Sequence, residues 1–198
     1  MLSMKTSVYA EDAGDYYGQD DYYLEKTGYW HGHDGLMKTL RLSGEVKPEV
    51  FTKLLQGYLP IGGEPPTAIV ENAGDEDRRG GSDFTFSAPK SVSLLSFKDE
   101  RIQTAFDTAV RYALDYLQSE IQVRHKDNGD VSIETTGKAA FAVFNHATTR
   151  PPEEYGAPDP QLHAHCVMAN ITVDAERQTR SIHNPFTPEK NSFRRSIF

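Results

Sequence analysis

The sequence predicts an α+β fold, a central antiparallel β-sheet with flanking helices. Three observations lead there. Asp83-Phe-Thr-Phe-Ser87 alternates apolar and polar residues, and strand-like runs recur at 131–136, 139–147 and 161–174. Glu100 to Val123 places Ile102, Phe106, Val110, Ala113, Leu117 and Ile121 on one helical face, with charges opposite. Asp127-Asn-Gly-Asp130 marks a tight turn between extended segments.

The other elements follow in order. Residues 10–26 are polar and tyrosine-rich, with a helical pattern from Ala10 to Leu24 that Gly14 and Gly18 interrupt. Trp30-His-Gly-His-Asp-Gly35 reads as a loop. Pro48 to Gly57 reads as a short helix, with proline near its start, apolar spacing through it and glycine at its end. Residues 60–82, rich in proline, glycine and acidic groups, read as a long mobile loop. Ala88-Pro89-Lys90 ends the first strand, and Ser91–Phe97 opens a new apolar element. Arg150 to Pro160 joins the last two long strands. Asn184 onward looks like a capped helix start.

With 198 residues, one compact domain, 1–198, is the expectation. Cys166 is the sole cysteine, so no intrachain disulfide forms and a reducing, cytoplasmic setting is expected. No run of about 20 apolar residues exists, so no membrane span is expected. The net charge of −8 weighs against a generic nucleic-acid binder, whose footprint is usually basic. A metal with a local cationic groove can still handle a polyanion.

His163 and His165 lie in the apolar segment 161–173, two residues apart, so on a strand they share a face. His146 ends the preceding strand-like run. If the two strands pair, three neutral imidazoles converge and can hold a divalent cation: manganese, magnesium or zinc. Such a donor set leaves positions open for substrate oxygens. The pair alone also occurs on ordinary half-exposed strands; the third histidine favours the metal. Asp83, at a strand start, is placed to accept a hydrogen bond from a ligand histidine or to take a tyrosine proton. His31, His33, His125 and His183 fall in loops or at element ends, where a solvated or structural role is expected.

Tyr16-Tyr17 and Tyr22-Tyr23 form two doublets among Asp12, Asp15, Asp20 and Asp21. A phenol with a pKa near 10 attacks poorly at neutral pH without a base or a cation nearby. Aromatic doublets also bury in cores or stack on partners. Beside a metal site, they suggest phosphoryl transfer to a tyrosine.

Four stretches together carry a family likeness: Gly14-Asp-Tyr-Tyr…Asp-Asp-Tyr-Tyr23, Asp83 to Ser93, Ile133-Glu-Thr-Thr-Gly137, and Asn145-His146…Asp159-Pro-Gln-Leu-His-Ala-His165. In these the chain resembles the amino-terminal part of a conjugative relaxase of the HUH class, in the MobF group that fuses relaxase to helicase. The likeness spans nearly the whole chain. It implies a palm-like relaxase fold in which the tyrosine segment folds back over the metal. It also implies nicking and rejoining of single-stranded DNA at a plasmid transfer origin through a 5′-phosphotyrosine. By that resemblance Tyr16 makes the first nick and Tyr22 a second strand transfer, with Tyr17 and Tyr23 auxiliary. His146, His163 and His165 are then the metal ligands, Asp83 holds one of them, and Lys90 and Arg150 lie near DNA. Relaxosome accessory proteins and a conjugative coupling protein are the implied partners.

The Pro-Pro-Glu-Glu-Tyr-Gly stretch after Arg150 lengthens the loop beside the metal beyond the family pattern. No Gly-x-x-x-x-Gly-Lys-[Ser/Thr] occurs, so no helicase is expected here, and the domain is expected to be truncated on its carboxy-terminal side. Two other readings compete. A cupin-like metal oxygenase also uses a His-x-His pair with a third histidine, but leaves the tyrosines unexplained. A truncated, non-catalytic origin-binding module would bind DNA without cutting it.

Overall fold

The computed structural model describes residues 1–9, 28–150 and 156–183. The four tyrosines of the doublets and the segment from Asn184 lie outside them. The described elements run β1 (Leu2–Tyr9), β2 (Tyr29–Gly32), α1 (Asp34–Leu40), α2 (Pro48–Leu55), β3 (Arg79–Ser87), α3 (Lys90–Ser96), α4 (Glu100–Ser119), β4 (Gln122–Asp127), β5 (Asp130–Thr135), β6 (Ala140–Thr148), β7 (Pro160–Ala169), β8 (Thr172–Val173) and β9 (Thr179–Arg180). Among the described residues, five strands form one sheet in the order β1-β3-β7-β6-β2, antiparallel at every pairing. The expected α+β fold is the observed one.

Strand alternation gives the sheet two faces. Phe84, Phe141, Val143, Ala164, Cys166 and Met168 point to one, where they bury Val110, Leu114 and Leu117 of α4. Each fully buried leucine there contributes roughly 1.5–3 kcal/mol. The opposite face carries the histidines at one end. Towards its other end, Ala142, Phe144 and Val167 pack on Phe51 and Leu55 of α2, and Ala140 and Ala169 on Leu36 and Leu40 of α1. Helices therefore cover both faces, with the long one opposite the histidines.

Several expected boundaries move. Trp30-His-Gly is strand rather than loop, with Trp30 opposite Ala142 and His31 opposite Phe141. Gly32 closes that strand at φ 152, where a Cβ would meet the Ala139 carbonyl at 2.2 Å. β3 starts at Arg79, inside the expected loop. Its two glycines admit α2 at close range: a Cβ on Gly80 would lie 2.8 Å from the Leu55 carbonyl. The preceding segment is tied down. The Arg78 guanidinium, 1% exposed, donates to the Leu55 carbonyl at 3.1 Å, the Asn170 carbonyl at 3.2 Å and the Asn72 side chain. Burial lowers its pKa to about 10.

The long helix stops at Ser119, not Val123. Ile121 is fully buried, but in the link between the helix and β4; its carbonyl accepts from the Thr136 and Gly137 amides. Continuity of apolar spacing mimicked a longer helix. The β4–β5 hairpin has the expected turn, Asp127 pairing Asp130 around Asn128 at φ 47 and Gly129 at φ 97. The final strand, expected over 161–174, breaks at Asn170. That side chain donates to the Arg79 carbonyl and accepts from Arg79 and the Ile182 amide. Three other histidines take structural roles: His31 ties β2 to α4 through Asp115 at 2.8 Å, His33 caps α1, and His125 pairs with Glu134 across the hairpin at 2.8 Å.

No helix among the described residues is long and apolar enough to cross a membrane.

Candidate metal centre

Register builds the site. His146 on β6 lies directly opposite His163 on β7, and His165 follows two residues on along the same face. The ring centroids are 5.1 Å apart for His146–His163, 5.3 Å for His163–His165 and 5.8 Å for His146–His165. His146 and His163 are each 6% exposed, so the cluster sits in the protein wall rather than on a solvated rim.

Two of the rings have their tautomers set by the chain. Asp83 Oδ2 lies 2.9 Å from His165 Nδ1, with Thr85 Oγ1 3.2 Å from the same nitrogen. A carboxylate can only accept, so Nδ1 carries the proton and the lone pair sits on Nε2. His163 Nδ1 lies 2.9 Å from the Gln161 carbonyl, which fixes it in the same sense. Burial pushes the His163 pKa down, ahead of the opposing pull of the Gln161 carbonyl, so the ring is neutral at pH 7.

The donor set fits a catalytic cation: three imidazoles, two with proton-fixing partners, on rigid neighbouring strands. Their donor atoms do not surround a common point as they stand. Among the described residues no three His, Cys, Asp or Glu side chains have that arrangement. The His146 and His163 rings stack at 25°. Register brings the three histidine backbones together on neighbouring strands.

The expected DNA-side cations lie outside the histidine cluster, near the ends of β6 and β7. Lys90, at the start of α3, pairs with Asp159 and donates to the Pro160 carbonyl at 3.0 Å. Arg150 is exposed at the edge of the described chain. Cys166 points to the opposite face, and burial drives its thiol well above the usual value, so it supplies no thiolate. Tyr29 also lies on that face. Its hydroxyl donates to Asp107 Oδ1 at 2.6 Å, and burial, then that hydrogen bond, raises its pKa far above 10, which disqualifies it as a nucleophile.

Sequence reasoning missed Thr85, Gln161 and Ser93. Thr85 was findable, since it sits two residues from Asp83 on an alternating strand. Gln161 acts through its backbone, and Ser93 through a contact 69 residues away, so neither left a sequence signal.

Known proteins resemble this chain in sequence and fold. A family described as TrwC relaxase matches residues 6–197. The multifunctional conjugation protein TraI of Escherichia coli is 38% identical over 177 residues, which is 87% of this chain and 10% of that protein. A solved metal-bound structure of the conjugative relaxase TrwC in complex with OriT DNA superposes with a TM-score of 0.75 at 37% identity, covering 93% of this chain and 62% of that one. A TrwC complex with a 27-mer DNA comprising the recognition hairpin and the cleavage site gives a TM-score of 0.74 at 36% identity, covering 93% and 60%. The chain thus spans about a tenth of its curated relatives' length and about three fifths of the solved relaxase chains. With the family match running over nearly every residue and the fold in agreement, the chain belongs to the TrwC relaxase family.

Proposed function

We propose that residues 1–198 act as one transesterase domain that nicks and rejoins a single DNA strand at a conjugative transfer origin. The observation that carries this reading is the clustering of His146, His163 and His165, backed by Asp83, in a chain of this family. TrwC has been solved with metal, with copper and with OriT DNA, which supports both a divalent cation and a DNA partner here. The cation proposed is manganese, magnesium or zinc. The family likeness extends the proposal to relaxosome accessory proteins and a coupling protein as partners, in the cytoplasm.

Each residue then has a defined task. His146, His163 and His165 would hold the cation through ring nitrogens. When bound, it would neutralise charge on the non-bridging oxygens of the scissile phosphate. Asp83 keeps His165 in its Nδ1–H tautomer, a role its hydrogen bond serves better than that of base for the phenol. Tyr16 forms a bond from its phenolic oxygen to phosphorus while the P–O3′ bond breaks. Its proton departs, and the 3′ oxygen ends as a hydroxyl. One ester replaces another, so the 3′-hydroxyl reverses the step without ATP. Tyr22 would take a second strand in the same way, with Tyr17 and Tyr23 auxiliary. Lys90 and Arg150 are the cations proposed near the strand. A closed β-barrel oxygenase finds no support in an open sheet with a 20-residue helix across it.

The test is incubation with a labelled single-stranded origin oligonucleotide and manganese, then a denaturing gel. A protein–DNA adduct that Tyr16→Phe abolishes while DNA binding persists supports the reading. Binding without any adduct in the unsubstituted chain would leave only an origin-binding module.

A further inference from the structure

β7 begins irregularly, beside the metal centre. Between His146 and Thr148, β6 advances two residues while the partners step three, from His163 back to Pro160. The extra residue makes a β-bulge at Gln161–Leu162, a device that re-aims neighbouring side chains. There the Gln161 carbonyl meets His163 Nδ1.

Contacts from α3 and the turn before it hold the bulge. The Leu162 amide donates to Ser93 Oγ at 2.9 Å, and the Leu162 carbonyl accepts from the Ala88 amide at 2.9 Å. Ser93 is fully buried, and its hydroxyl donates to the Pro89 carbonyl at 3.1 Å. Lys90 pairs with Asp159 and donates to the Pro160 carbonyl at 3.0 Å. Asp159 is itself tied to β6: its amide donates to Thr149 Oγ1 at 3.0 Å, and its carbonyl accepts from the Thr149 amide at 2.9 Å.

We infer that Lys90, Ser93 and Asp159 form a clamp on this bulge that sets the tautomer and aim of His163. They are positioning residues for the metal site: they act on His163 through the Gln161 carbonyl, a role separate from the place proposed for Lys90 near the strand. Lys90 thereby has a task that needs no DNA, whereas the sequence placed it at the nucleic acid. The inference rests on the proposed metal site, but the clamp itself is readable without metal.

The test uses the full chain, free of DNA. Long-range nitrogen NMR of metal-free protein reads the His163 tautomer directly, and calorimetric titration with manganese chloride reads affinity. Lys90→Met, at a half-exposed position, keeps the fold; Ser93→Ala probes the buried contact. The expected result is an Nδ1–H tautomer in the unsubstituted chain, a mixed population in both variants and about tenfold weaker manganese binding. Lys90→Arg should restore most of both signals. An unchanged His163 tautomer with unchanged manganese affinity in Lys90→Met would overturn the clamp. If the unsubstituted chain binds no manganese, the metal reading fails, and the tautomer result still decides the clamp.

Discussion

Asp83 and His165 are not register partners, yet Asp83 Oδ2 reaches His165 Nδ1 at 2.9 Å. Asp83 lies opposite Val167 and His165 opposite Thr85, so the contact runs diagonally between β3 and β7. Diagonal neighbours sit roughly 7–8 Å apart, within reach of an aspartate and an imidazole that lean together. Two strands distant in sequence are thus joined at the point where metal ligation is proposed.

Asp83→Ala removes the acceptor that fixes His165. Manganese affinity should fall about 10-fold to 100-fold, the usual cost of losing a ligand's hydrogen-bond partner. Thr85, 3.2 Å from the same nitrogen, should soften that loss. Calorimetric titration of Asp83→Ala and of the Asp83→Ala/Thr85→Val pair checks both statements, with the pair expected to bind more weakly than the single variant.

Asp107 anchors the opposite face. Burial pushes its carboxyl pKa up, but hydrogen bonds from Tyr29, Arg111 and Asn145 outweigh burial and hold it below the ordinary range. A folded pKa depressed below the unfolded value gives stability that is present above the unfolded pKa, near 3.9. That stability is lost as pH falls through the folded pKa. Urea unfolding from pH 7 downwards should show this acid loss, and Asp107→Asn should flatten it. At pH 7 the same variant should be less stable by about 2 kcal/mol, the scale of a lost charged hydrogen bond.

Arg78 holds the segment before β3 to α2 and to Asn170. Arg78→Met keeps the buried stem but strands two backbone carbonyls and the Asn72 side-chain oxygen. Chemical denaturation should show a loss of roughly 3 kcal/mol. Manganese affinity should stay the same, because the site lies elsewhere on the sheet.

Much of the histidine strand was legible because period-two spacing fixes the face of His163 and His165, and the position of His146 at a strand end invited pairing. Asp83 was legible for the same reason. β1 was not foreseen: Leu2-Ser-Met-Lys-Thr-Ser-Val-Tyr9 is an edge strand, and edges carry polar residues without a clear alternation. β2 hid behind Gly32, whose role is close approach to Ala139 rather than chain reversal. The Tyr29–Asp107–Asn145 contacts join residues 78 and 38 apart, and no local pattern encodes such a meeting. The bulge at Gln161 was unreadable because its effect passes through a backbone carbonyl.

The central claim is that three imidazoles share one cation. X-ray absorption of the manganese-loaded chain measures this directly. The account predicts a first shell containing three imidazole nitrogens, falling to two in His163→Ala with a matching loss of affinity. A shell of oxygens alone, unaltered by that substitution, would contradict it.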